Sequence, residues 1–518
     1  MNIGLIPAKY AALAPRRLAI IDPAINLRLN YAELDRNVRR LANGFVMQCR
    51  IERGDRIAVL AKNCAEYMAI YYACARAGFI TQPLNWRLGA KELAKIIVDG
   101  EPAAFVSSSE FRDVRDELQS TVDVAHWLEF GDDSDGSYVA LIDGASDEEP
   151  TGSMHVGDND PVLILYTGGT TGESKGALHT HRSIAAGMLN QTVAERIVPS
   201  DVYMLTGQMF HIPVGLAMNY MAHGCSLVLI NFEARAALEI IEAEKVSAFL
   251  GITTMLNWMM AVDGFDRFKL DSLRNIQYGG GPMPATVVAN ALDAFPCTLI
   301  QGYGQTEGMT MTFLSQEDHA SAMNGEHSER LNSCGREGFV TSVRIVDVQG
   351  NLVPRDSHTA GEIIVRSDAN MQGYWRKPDL TAQTIRNGWM FTGDIATWDE
   401  DGYVFIVDRA NDMIISGGEN IYSTQVESAI HQHDAVLEAA VIGIPDEEWG
   451  EAVMAVVVLK PGQEAHERDI VETVRNHLAS YQKPRFVEFV DSLPKAPTGK
   501  ILKRELREQF RAAPPKAI

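Results

Sequence analysis

The run Tyr166-Thr-Gly-Gly-Thr-Thr-Gly-Glu-Ser-Lys-Gly176 has the composition of a phosphate cradle. Gly168, Gly169 and Gly172 let backbone N–H groups turn toward an anion. The hydroxyls of Thr167, Thr170 and Thr171 add donors, and Lys175 supplies a mobile positive charge. The run is not a Walker loop, because Lys175 stands between Ser174 and Gly176 and not in Gly-Lys-Ser/Thr. Five more clusters follow: Met209-Phe-His-Ile-Pro-Val-Gly215, Gln277-Tyr-Gly-Gly-Gly-Pro-Met-Pro284, Gly302-Tyr-Gly-Gln-Thr-Glu307, Thr392-Gly-Asp394 and Leu493-Pro-Lys-Ala-Pro-Thr-Gly-Lys500. Taken singly, Thr-Gly-Asp is a common turn, a lone glutamate or lysine is a solvated charge, and a histidine in an apolar run is a core residue.

Elements must hold these groups in place. Pro161–Tyr166 is a short apolar run suited to a buried strand, followed by the Gly/Thr turn and a helical pattern from about Arg182 to Ile197. Strand patterns at Arg56–Leu60, Leu227–Ile230, Val246–Leu250, Leu273–Tyr278 and Thr298–Gln301 alternate with helical ones at Leu34–Met47, Glu92–Val98, Arg235–Lys245 and Pro284–Phe295. That alternation predicts an α/β fold with a largely parallel sheet. Gly131–Gly157, rich in Asp, Glu, Ser and Gly, reads as a solvated connector. Beyond about residue 335, short strands at Val343–Val348, Gly361–Arg366 and Tyr403–Val407 suggest a small antiparallel barrel or sheet. The last hundred residues read as a compact α+β module, with the boundary near Asp408.

In this order, the motifs resemble those of the adenylate-forming superfamily: acyl-CoA synthetases, coumarate and benzoate CoA ligases, luciferases and nonribosomal-peptide adenylation domains. The resemblance spans essentially the whole chain. The chain departs from the family's phosphate loop at Gly168, usually serine, and at Ser174, usually proline. The resemblance implies a large N-terminal domain (1–407) of parallel α/β subdomains plus a small β-barrel. A hinge (408–411) and a mobile α+β lid domain (412–518) would follow.

It also implies roles. ATP would lie against the phosphate loop and Gly279, Gly280 and Gly281, with Tyr303 on adenine, Thr306 on phosphate and Glu307 on Mg²⁺. Asp394 and Arg409 would hold the ribose. Lys500 would bridge the acyl carboxylate and the α-phosphate. In Asp408-Arg-Ala-Asn-Asp-Met-Ile-Ile-Ser-Gly-Gly-Glu-Asn-Ile421, Asp408 would be the hinge, or Asn411, where many relatives carry lysine. Gly417 and Gly418 would line a pantetheine tunnel. Trp449 and Tyr481 would stack on the CoA adenine, and Lys483 and Arg485 would meet its phosphates. His211 would gate an acyl pocket lined by Ile212, Thr254, Gly281, Gly304 and Met309.

The implied reaction joins a carboxylic acid to CoA through an acyl-adenylate. Amino-acid-activating relatives carry an aspartate near His211; Ile212 and Pro213 stand here instead, which argues against an amino acid. The apolar or small lining and the overall likeness to bacterial fatty-acyl-CoA and aryl-CoA ligases make a medium- to long-chain fatty acid the expected acid. An aryl or aryl-alkenyl acid is the alternative, as is transfer from acyl-AMP to a carrier protein. A non-catalytic scaffold is disfavoured by the presence of Lys500, Glu307 and Asp394.

Composition sets the outer bounds. With 46 Lys plus Arg against 68 Asp plus Glu, the formal charge is −22, which argues against nucleic acid as a partner. Six scattered cysteines without a C-x-x-C pair predict a reduced, cytoplasmic setting. No secretory signal, transmembrane segment or C-terminal address is expected. The assembly state is open, a homodimer included.

Overall fold

The computed structural model describes residues 1–131, 136–168, 174–281, 283–417, 419–446, 449–495 and 501–512. The chain forms two compact units. One comprises Met1–Gly169, Ser174–Val343 and Val365–Phe391; the other is built mainly from Arg344–Ile364 and Thr392–Ile518.

Two large sheets organise the first unit. One has nine strands, in the order Arg336–Glu337, Met309–Leu314, Thr298–Gln305, Asn275–Gly279, Ala248–Leu250, Val202–Leu205, Ser226–Leu229, Leu18–Asp22 and Leu27–Asn30. Its inner pairings are parallel and its edges antiparallel. The second has seven strands, in the order Gly373–Tyr374, Ser174–Thr180, Pro161–Gly168, Ile80–Pro83, Arg56–Leu60, Ala104–Ser108 and His126–Phe130. The predicted alternation is thus realised, because buried parallel strands need helices on their faces. Helix Tyr31–Cys49 starts with a capping box between Asn30 and Glu33, and buries Leu34, Val38, Leu41 and Phe45 in the shared core.

Two readings change. The phosphate run is followed by a strand, Ser174–Thr180, antiparallel to Pro161–Gly168, before helix His181–Glu195 begins. Lys175 therefore sits on a strand, paired with Thr167. Gly131–Gly157 is more than a solvated connector. Helix Ser137–Asp143 buries Tyr138 and Leu141, and a Cβ on Gly44 would meet the Leu141 carbonyl oxygen at 2.6 Å. Tyr138, Leu141 and Ile142 recur at helical spacing within a stretch whose mean composition is polar.

A third sheet of five strands runs Thr341–Val346, Gly361–Ser367, Trp389–Trp398 and Ile385–Arg386, with Val404–Arg409 also paired to Trp389–Trp398. A fourth, inside the second unit, runs Glu419–Ile421, Ile414–Ser416, Gly450–Leu459 and Val436–Asp446, with Phe486–Phe489 parallel to Gly450–Leu459. Helices Ser423–Ile430 and Glu467–His477 pack on it through Val426, Ile430, Ile470 and Val474, giving the α+β module.

Candidate active site

Gly169, Thr170, Thr171, Gly172, Gly418 and Lys500 lie outside the described residues. The segments that flank the loop are held by backbone hydrogen bonds. Gly373–Tyr374 extends the sheet beyond Lys175, with Tyr374 opposite Ala177. Trp375 N–H donates to the Gly176 carbonyl (2.7 Å), Gln372 N–H to Leu178 (2.8 Å) and Met371 N–H to Glu307 (2.7 Å). These bonds bring Glu307 beside the strand that carries Lys175. The Tyr374 hydroxyl donates to Glu307 Oε1 at 2.8 Å, and Lys175 Nζ lies 5.5 Å from the Tyr374 ring centroid. The structure thus brings Lys175 and Glu307 together around a tyrosine that no sequence motif singled out. A two-residue strand leaves no periodicity to read.

Thr306 is buried, and its carbonyl accepts from His179 Nε2 at 2.7 Å. Burial pulls the His179 imidazole down to about 4, so the ring is neutral at pH 7. A carbonyl only accepts, so the proton sits on Nε2 and the Ser183 hydroxyl, 3.1 Å away, donates to Nδ1. The glycines have different reasons. A Cβ on Gly279 would meet the Gly302 carbonyl oxygen at 2.2 Å, and one on Gly304 would meet that of Met309 at 2.0 Å. Gly280 has φ +77°, and a Cβ on Gly281 would enter open space. Tyr303 lies on the strand Thr298–Gln305, opposite Thr312.

Of the expected acyl-pocket residues, Ile212 and Met309 line one apolar cavity with Tyr71, Ile184, Val214 and Met218. Met309 holds φ +56°. It faces two glycines, whose added Cβ atoms would come within 3.3 Å (Gly187) and 3.1 Å (Gly215) of its side chain. Thr254, Gly281 and Gly304 do not line this cavity, and Thr254 is exposed near the start of helix Thr253–Met260. His211 adjoins the cavity through Ile212, whose N–H donates to His211 Nδ1 at 2.9 Å; burial lowers the affinity of His211 for a proton.

In the second unit, Asp394 and Arg409 are partners on adjacent antiparallel strands, Arg409 Nε lying 3.3 Å from Asp394 Oδ1. Asp394 is buried, and its backbone N–H donates to Thr392 Oγ1 at 3.1 Å. Asp408 is buried too, which raises its carboxyl above the usual range. It accepts from Arg409 N–H (2.7 Å) and Ser423 Oγ (2.8 Å), and so is tied to the first residue of helix Ser423–Ile430. Asn411 follows in the turn after Arg409.

Gly417 has φ +61° and donates its N–H to Trp449 O at 2.8 Å; a Cβ there would lie 2.6 Å from the indole. Trp449 N–H and Arg485 Nη1 share the Asp446 carboxylate at 3.0 and 2.8 Å. Gly417, Trp449 and Arg485 are therefore brought together, whereas Tyr481 and Lys483 stand exposed nearby in sequence. Lys495 and Ile501 form an antiparallel bridge on either side of 496–500.

The family models decide what this arrangement is. The AMP-binding enzyme model matches residues 8–375, and the AMP-binding enzyme C-terminal domain model matches residues 425–500.

The chain belongs to the AMP-binding enzyme family. Within the adenylate-forming superfamily its relatives are acyl-CoA synthetases and ligases. It is 34% identical to a feruloyl-CoA synthase of an Amycolatopsis species over 98% of this chain and 99% of that one. It is likewise 34% identical to a long-chain-fatty-acid–CoA ligase of Mycobacterium tuberculosis, over 99% and 100%. ATP-bound MatB from Rhodopseudomonas palustris superposes with a TM-score of 0.85 at 29% identity, covering 99% of each chain. ATP and CoA as substrates fit this adenylate-forming family, and no helix among the described residues is long and apolar enough to cross a membrane. A hard cation delivered with a nucleotide is compatible with this site: Mg²⁺ takes one or two carboxylates plus phosphate oxygens, and Glu307 could supply one such carboxylate. Its Oε1 is already fixed by Tyr374.

Proposed function

We propose that this AMP-binding enzyme is an ATP-dependent acid–CoA ligase acting on a medium- to long-chain fatty acid in the cytoplasm. In the first step the acid's carboxylate oxygen attacks the α-phosphorus of ATP. An acyl–O–P bond forms, the α–β phosphoanhydride bond breaks and pyrophosphate leaves. In the second, the CoA thiol attacks the activated carbonyl. The C–S bond forms, AMP leaves with the bridging oxygen, and the thiol proton passes to solvent. No protein nucleophile is required; the protein positions reactants and offsets phosphate charge.

Lys175 and the donors of the 167–172 loop serve the phosphates, Tyr303 and Gly279–Gly281 the adenine, and Asp394 and Arg409 the ribose. Glu307 would hold Mg²⁺, which when bound neutralises phosphate charge. Lys500 serves the first step and the Gly417–Gly418 segment the second, with Asp408 and Asn411 as the hinge between them. Trp449, Tyr481, Lys483 and Arg485 serve the CoA nucleotide.

One observation supports an apolar acid over a polar one: the wall beside Ile212 and Met309 is apolar, and the single hydroxyl on it, Tyr71, is spent on the Met209 carbonyl at 2.6 Å. The gap it encloses, about 10 Å³, is no larger than a water and sets no chain length. Such a wall offers an aliphatic tail contact and a polar tail no partner. The likeness to a feruloyl-CoA synthase favours a second reading, a planar aryl-alkenyl acid.

The test is AMP and pyrophosphate release from Mg-ATP over a panel of acids, with and without CoA. AMP release requiring both a fatty acid and CoA supports the proposal. A ferulate-like acid as the best substrate transfers it to the second reading. Pyrophosphate release with acyl-AMP retained, and no response to CoA, would replace it with a carrier-protein ligase.

A further inference from the structure

Tyr374 is placed by bonds that have nothing to do with its own ring. Backbone bonds from Met371, Gln372 and Trp375 fix the segment to Glu307 and to the strand Ser174–Thr180. The Tyr374 N–H donates to Thr381 Oγ1 at 2.9 Å, and the Trp375 indole donates to the Asp99 carbonyl at 3.1 Å. The side chain has little choice of position, and it lies between two opposite charges. Its hydroxyl donates to Glu307 Oε1 at 2.8 Å, while its ring face lies toward Lys175 Nζ at 5.5 Å.

We propose that Tyr374 is a positioning residue for the nucleotide site, an inference that rests on the ATP-dependent reading above. Its hydroxyl occupies one Glu307 oxygen and aims the other at the incoming cation. Its π-face gives the Lys175 ammonium a resting place, so that lysine and glutamate do not collapse into an ion pair that phosphate would have to break. A carboxylate–phenol bond and a cation–π contact are each weak enough to be exchanged for ligand.

Two substitutions separate the two functions. Tyr374→Phe keeps the ring and deletes the hydroxyl; Tyr374→Leu deletes both. Binding of ATP without acid is followed by calorimetry across a Mg²⁺ titration, beside steady-state AMP release with the best acid. Tyr374→Phe is expected to raise the Mg²⁺ concentration at half-saturation roughly tenfold while leaving Mg²⁺-free ATP binding unchanged. Tyr374→Leu is expected to weaken Mg²⁺-free ATP binding as well. A Tyr374→Phe enzyme with the wild-type Mg²⁺ titration overturns the proposal, as does a Tyr374→Leu enzyme no weaker than Tyr374→Phe in Mg²⁺-free ATP. If the unaltered enzyme binds no ATP and releases no AMP with any acid, the ATP-dependent reading falls and takes this inference with it; the Phe result alone leaves that reading standing.

Discussion

His179 Nε2 lies 2.7 Å from the carbonyl oxygen of Thr306, so a buried imidazole on the strand after the phosphate run holds the residue before Glu307. Replacing His179 by Leu strands that carbonyl and is expected to cost about 1–3 kcal/mol. His179→Gln, which restores a donor, should recover part of it. The histidine also sets a pH dependence. Its folded value, about 4, is below the ordinary 6.5, so the unfolded chain takes up its proton first. The contribution is whole above pH 6.5 and is lost as pH falls toward 4. Urea midpoints at pH 7 and pH 5 should diverge less for His179→Gln than for the parent.

Glu195 gives the opposite slope. It is fully buried, accepts from Tyr220 and Gln191, and burial pushes it up to about 7 from an ordinary 4.5. Stability from this group is whole below pH 4.5 and lost as pH rises through 7, a swing of about 3 kcal/mol as an upper bound. Glu195→Gln should therefore match the parent at pH 5 and exceed it at pH 8 in chemical denaturation. Equal stability of the two at pH 8 would remove the buried charge as a cost.

Asp394→Asn keeps the shape of a side chain that faces Arg409 across two strands and removes its charge. If the pair grips the ribose, the KM for ATP should rise about tenfold or more with a smaller change in kcat. An unchanged KM would assign Asp394 to the sheet alone.

Gly417→Ala forces a Cβ to within 2.6 Å of the Trp449 ring at φ +61°. Pyrophosphate release from acid and ATP should persist, while thioester formation from supplied acyl-AMP slows by about tenfold or more. Equal slowing of both half-reactions would count against a separate thiol channel.

Met309→Ala empties the space between Gly187 and Gly215. The preferred acid should lengthen by roughly two or three methylenes, with a stability loss of about 2–3 kcal/mol. The check is kcat/KM across an acid series; a fixed length optimum would take Met309 out of the tail wall.

The α/β alternation was legible because apolar runs such as Arg56–Leu60 and Asn275–Gly279 are buried on both faces, which leaves a clear signature. Helix Ser137–Asp143 was hidden because its short apolar run, Tyr138 to Ile142, sits in an acidic stretch. The strand Ser174–Thr180 was hidden because glycine, lysine and alanine carry weak strand preference, and it is held by pairing with Pro161–Gly168. At the site, motifs and pocket lining placed Asp394, Arg409, Gly417, Trp449, Ile212 and Met309 in the chain; that Asp394 lies beside Arg409, Gly417 beside Trp449, and Ile212 and Met309 along one cavity comes from the fold. Tyr374 and His179 were not named, because their roles come from long-range bonds, 67 residues apart for Tyr374–Glu307 and 127 for His179–Thr306. No local spacing encodes such a bond.

Asp408 and Arg409 are neighbours on one strand, and alternation turns them to opposite faces. Arg409 reaches Asp394 on one side; Asp408 caps helix Ser423–Ile430 on the other. They share a single peptide plane, so a backbone rotation that re-aims one also turns the other. The strand behaves as a short crankshaft: a torque applied where the arginine holds its partner is delivered, one residue away, to the root of the helix.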